Sequence, residues 1–69
     1  MSEKKGIALP VDVYDSDGNM TRIEFTDSNG KHILDAVWDK SDAQTSENRT
    51  HFRVWAYDFL TSRGWEIQK

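Results

Sequence analysis

The groups in this 69-residue chain from which acid–base or metal chemistry would have to be built are two histidines, His32 and His51, and a set of acidic side chains concentrated between Asp12 and Asp42. A histidine beside a carboxylate, such as His32 with Asp35, is the pairing a general acid or base needs, but no nucleophile motif accompanies it. Neither histidine has a second one at i+4, so no helix face is preset for a metal. Asp15, Asp17, Asn19 and Glu24 place oxygen ligands at alternate positions around Gly18, faintly as a calcium loop does. With Glu24 in the last ligand place, however, Val13 falls where the first aspartate belongs, and turn chemistry alone explains these residues. The four glycines form no phosphate-cradling pattern, and with no cysteine there is neither a thiolate site nor a disulfide. The chain is therefore expected to be non-enzymatic, with no cofactor and no metal.

Two surfaces remain as candidates for binding. The first is the face of a small sheet: Tyr14, Met20, Arg22, Glu24, Ile33, Asp35 and Val37 fall on strand positions that a single covering helix leaves open. They mix apolar groups with charges of both signs, the anatomy of a protein-binding patch. Of these, Tyr14, Arg22, Glu24, Ile33, Asp35 and Val37 are the expected contact residues. The second is one flank of a helix, where Arg49, Arg53 and Tyr57 recur at i, i+4 and i+8 and could follow a phosphate backbone.

The elements that must position them are legible from periodicity. Ile7, Leu9, Val11 and Val13 alternate through Ile7–Tyr14, reading as a strand with that set buried. Pro10 requires either an edge position or an amide site facing away from the neighbour. Asp15-Ser16-Asp17-Gly18-Asn19 is a turn, and Met20–Asp27 alternates again with Thr21, Ile23 and Phe25 inward. Asn29-Gly30 predicts a second tight hairpin in which both residues take positive φ. His32–Asp39 is a third strand, apolar on both sides. After a polar connection the period becomes helical. Thr45 or Ser46 caps the helix, Glu47 suits its first turn, and Arg63 and Gly64 suit its end. Phe52, Trp55, Ala56, Phe59 and Leu60 form the stripe that should lie on the sheet. Trp65-Glu66-Ile67 alternates as a short last strand would.

The fold class expected is a small single α+β domain over residues 7–69, preceded by a flexible tail at 1–6. Its order is β-β-β-α-β: a three-stranded meander, a short C-terminal strand beside the first, a sheet order of 3-2-1-4 with all neighbours antiparallel, and one helix across one face. A chain of this length holds one modest core and no large enclosed cavity.

Charge favours the sheet face over the helix flank. The net charge is −3, and between residues 12 and 42 eight acids stand against three bases. Phosphate would be repelled by that half, so nucleic acid is the weaker partner. No apolar leader run and no run of about 20 apolar residues occurs, which argues for a cytoplasmic protein without membrane contact. The function expected is that of a small acidic interaction module binding a larger protein through the open sheet face and the third-strand edge, of a size that suits a bacterial or phage regulator or inhibitor. The alternative is a nucleic-acid-binding or transcription-regulating module using Arg49, Arg53 and Tyr57. An uncovered sheet face also makes a homodimer an expectation.

Overall fold

The computed structural model describes residues 5–68, which run β1 (Gly6–Tyr14), β2 (Met20–Asp27), β3 (His32–Val37), α1 (Ser46–Thr61) and β4 (Trp65–Ile67). Element order and type follow the expectation. Of the expected tail, residues 1–4 lie outside the described residues, Gly6 opens β1, and the Lys5 N–H donates to the Gly64 carbonyl at 2.9 Å.

Both hairpins close by the same device. Asp15 Oδ1 accepts the N–H groups of Asp17 and Asn19, each at 2.9 Å. Asp27 Oδ1 accepts those of Asn29 and Lys31, also at 2.9 Å. Within these turns positive φ belongs only to the glycines, 82° at Gly18 and 83° at Gly30. The expectation that Asn29 shares a positive φ with Gly30 is therefore corrected. Each loop is one residue longer than a two-residue hairpin and places a single left-handed glycine before the returning strand. The leading aspartate decides it, because its carboxylate satisfies the turn amides that a two-residue loop would not expose.

The sheet order is β3-β2-β1-β4. β1–β2 and β2–β3 are antiparallel, but β4 runs parallel to β1, pairing Gly6 with Trp65 and Ala8 with Ile67. The all-antiparallel expectation fails at this one junction. The helix has 16 residues, about 24 Å at 1.5 Å per residue. It carries the chain back along the sheet to the end where β1 starts, and β4 can then leave only in the direction of β1.

Register shows which face the helix covers. Pro10 pairs with Phe25, Asp12 with Ile23, and Ile23 with Ala36, so these residues share the face that holds the buried Ile23, Phe25 and Ala36. On β1 it is Ala8, fully buried, that faces the helix, while Val11 is 52% exposed. The expected burial of Ile7, Leu9, Val11 and Val13 is thus inverted. Period two establishes that two faces differ but not which one is covered.

Irregularities in the ladders move further residues. Val13 pairs with Arg22 but Tyr14 pairs with Met20, leaving Thr21 as an extra residue in β2. That bulge turns Met20 to the helix side, where it is 1% exposed. A second shift, between Phe25 and Thr26, pairs Thr26 with His32 and leaves Ile33 as the extra residue of β3.

The helix starts at Thr45, whose hydroxyl accepts the Asn48 N–H at 3.1 Å, with Glu47 in the first turn. Ala56 and Leu60 are buried against the sheet, and Phe25 meets Tyr57 edge-on at 6.0 Å between ring centroids. Arg63 lies beyond the last turn. Its guanidinium sits 3.6 Å over the Phe59 ring and donates to the Phe59 carbonyl at 3.1 Å. Trp55, expected in the buried stripe, is 57% exposed. α1 lies closest to β4 and β2, so the side of its stripe that carries Trp55 overhangs the outer edge of β3.

Candidate protein-interaction surface

The sheet face away from α1 has no second layer. Its centre is made by Leu9, Val11 and Val13 of β1, opposite Thr26, Glu24 and Arg22 of β2. Glu24 is in turn opposite Asp35, and Arg22 opposite Val37. On this face Arg22 Nε donates to Glu24 Oε2 at 2.9 Å and His32 Nε2 lies 2.9 Å from Asp35 Oδ1, while Glu66 of β4, beside Ile7, forms no ion pair among the described residues. The result is an aliphatic strip along β1 beside a polar row of β2 and β3, with Val37, 68% exposed, where the face meets the β3 edge.

Four of the six expected contact residues, Arg22, Glu24, Asp35 and Val37, are brought together here. Tyr14 is not among them. Through its pairing with Met20 it lies on the helix side, where its hydroxyl is 3.4 Å from Asp12 Oδ2. Ile33 is the bulge residue and packs toward the core. The aliphatic residues of β1 join this face contrary to expectation, because alternation separates two faces without saying which one the helix covers. No local signal points the other way, because the set that faces the helix, Ala8, Pro10, Asp12 and Tyr14, is the less apolar of the two.

β3 is an edge strand, as expected, and beside it α1 leaves two clefts separated by Trp55. One, of about 130 Å³, is lined by Leu34, Ala36, Trp55, Ala56 and Phe59. The other, of about 370 Å³, is lined by Trp38, Asp39, Asp42, Asn48, Phe52 and Trp55, with Val37 and His51 at its rim. Its aromatic wall is pre-assembled. Trp38 meets Phe52 edge-on at 5.1 Å, and Phe52 stacks on Trp55 at 6.1 Å. Trp38 Nε1–H donates to the Asp42 carbonyl at 3.2 Å, holding the 39–42 turn against the cleft. Asp39 Oδ1 accepts from the Ser41 N–H at 3.0 Å and from its hydroxyl at 2.8 Å. These bonds hold the Asp39 carboxyl below the usual carboxylate range, the backbone bond contributing most.

The other opposite edge is blunted. Ala8 C=O accepts the Gln68 N–H, whereas Val13 C=O accepts from the Thr21 hydroxyl on β2. Alternate backbone groups of β1 thus point outward from even-numbered residues, and Pro10, with no N–H to offer, lies just beyond the end of β4.

Arg49, Arg53 and Tyr57 do share a helix flank, but they turn inward. Arg53 Nη2 donates to Asp12 Oδ2 at 2.8 Å, and the bond raises the guanidinium pKa further. Arg49 Nε donates to Gln44 Oε1 at 3.2 Å. Gln44 in turn brackets Met20, accepting its N–H and donating to its carbonyl, each at 2.9 Å. Tyr57 lies half-buried against Phe25, and burial, reinforced by the Asp12 charge, pushes its phenol pKa up.

The Asp15 carboxylate is occupied by turn amides. Among the described residues no group of three or more His, Asp or Glu side chains is placed to hold a metal, and no helix is long and apolar enough to cross a membrane. No protein-family model matches the chain, and neither a curated protein nor a solved structure matches it.

Proposed function

We infer that this chain is a small, acidic, non-enzymatic interaction module that docks on a larger protein through its open sheet face and the adjoining β3 edge. The observation that carries the reading is the uncovered aliphatic strip of β1, separated from the β3 edge by the polar row of β2, with Val11 and Val37 more than half exposed in a domain of only 69 residues. An exposed apolar strip rimmed by polar and charged groups has the composition of a partner surface, an apolar centre within a polar rim. A role as a regulator or inhibitor in the cytoplasm fits a domain of this size. The helix arginines support phosphate binding less well, since Arg53 is already neutralised by Asp12.

The test is capture of partners from a nuclease-treated lysate by the wild-type chain, by Val11→Glu with Val37→Glu, and by Arg49→Gln with Arg53→Gln, each first shown to be folded. A protein retained by the wild type and by the arginine variant but lost with the two glutamates supports the reading. Loss with the arginine variant alone, or on nuclease treatment, would overturn it in favour of nucleic acid.

A further inference from the structure

Resting on that reading, we propose that the β3 edge receives an extended basic segment of a partner protein, which adds as a strand and places a lysine or arginine in the cleft of Trp38, Phe52, Trp55, Asp39 and Asp42, with an apolar residue two positions away in the smaller cleft beyond Trp55.

An added strand completes the hydrogen bonding that an edge strand leaves open, and its side chains alternate between the two faces. Residues on its helix side therefore recur about every 7 Å and meet the clefts on either side of Trp55 in turn. Their chemistry differs. The smaller is lined mainly by apolar groups, with Leu34, Ala36, Ala56 and Phe59 around Trp55 and Asp35 as its one acidic residue. The larger is lined by aromatic residues together with two acidic ones, Asp39 and Asp42, a combination suited to a cation held over a ring with its charge paired nearby. Neither carboxylate forms an ion pair among the described residues. Asp39 is oriented by Ser41 through Oδ1, and no hydrogen bond within the described residues engages its Oδ2.

The same acids disfavour a second copy as occupant. Antiparallel pairing of β3 with itself in the register centred on Asp35 sets Asp35 opposite Asp35, and the neighbouring Asp39 and Asp42 add to a chain whose net charge is already −3. A basic segment meets all three acids favourably.

The probe is the heptapeptide Thr-Val-Thr-Lys-Thr-Val-Thr, capped at both ends, whose symmetry presents the same spacing in either strand direction. Backbone amide shifts of the labelled protein and tryptophan fluorescence are followed, with norleucine and glutamate replacing the lysine in two control peptides. The expected result is perturbation of the Leu34–Val37 amides and the Trp55 signal, with binding at least about tenfold weaker for either control and comparably weaker for Asp39→Asn with Asp42→Asn. Those asparagines retain the turn's acceptors, so they test the charge without removing the fold. Equal binding of lysine and norleucine peptides overturns the cation cleft but leaves the docking edge standing. Absence of any β3 shift at millimolar peptide overturns both. A dimer in sedimentation that excludes the peptide and dissociates on Trp55→Ala would assign the edge to a second copy and overturn the proposal.

Discussion

Asp12 of β1 and Arg53 of α1 meet across 41 positions of sequence, with Asp12 Oδ2 2.8 Å from Arg53 Nη2. The contact ties the outer half of β1, which β4 does not reach, to the helix above it. It also explains why an acidic residue sits on the covered face of the sheet and why the arginine flank of α1 is not a free basic stripe. The side chains remain 28% and 36% exposed, so the pair is well screened.

A double-mutant cycle with Asp12→Asn and Arg53→Gln should give a coupling of about 0.5–1 kcal/mol in low salt, shrinking in 1 M salt. Urea unfolding measures it. A coupling of zero at low salt would show that the contact does not hold β1 to α1.

Gln44→Ala should destabilise more than its surface position suggests. It removes the partners of both the Met20 N–H and the Met20 carbonyl, and stranding part-buried backbone groups costs about 1–3 kcal/mol. For a domain of this size that corresponds to a fall in Tm of at least about 4 °C. Thermal unfolding followed by circular dichroism reads it.

Alkaline stability should depend on Tyr57. Its folded-state pKa is raised above the ordinary 10.0 by burial, then by the Asp12 charge. The unfolded chain therefore releases the phenolic proton first. The associated stability is fully present below pH 10.0 and is lost as pH rises through the folded value. Tyr57→Phe, which keeps the ring against Phe25, should flatten the fall in urea midpoint above that pH.

At the acid end, Ser41→Ala should raise the Asp39 titration midpoint toward the ordinary value of 3.8 by deleting the hydroxyl bond, while the Ser41 N–H remains and keeps it somewhat low. A carboxyl lowered in the folded state contributes stability above its unfolded value and loses it as pH falls through the folded one. Carbon-detected carboxyl shifts follow the midpoint directly.

Phe25→Ala and Trp55→Ala should separate stability from binding. Phe25 is fully buried and its truncation costs about 3–5 kcal/mol, a large share of the about 3–10 kcal/mol expected for a chain of this length. Trp55 is 57% exposed and its truncation should cost no more than about 1 kcal/mol, yet abolish peptide binding at the β3 edge. Urea midpoints and peptide titrations together decide the matter.

Much of the fold was legible because its signals are local. Met20–Asp27 was read at the bounds it has, since Ile23 and Phe25 alternate with charged residues between two turn sequences. The Thr45 cap and the apolar helix stripe are likewise short-range patterns. The candidate surface was less legible. Alternation through an unbroken ladder puts Tyr14 and Met20 on the open face, and the extra residue at Thr21 breaks that ladder.

What the sequence by itself determined, then, is the order and type of the elements, their approximate bounds and the β1-β2-β3 meander, all of which follow from hydropathy period and turn chemistry. Tertiary structure alone decided which face of β1 is covered, that β4 runs parallel to β1, that Arg53 is neutralised by Asp12, and that Trp55 stands exposed between two clefts beside β3. Each of these depends on where α1 comes to rest on the sheet, and that position is a balance among groups tens of residues apart that no local period records.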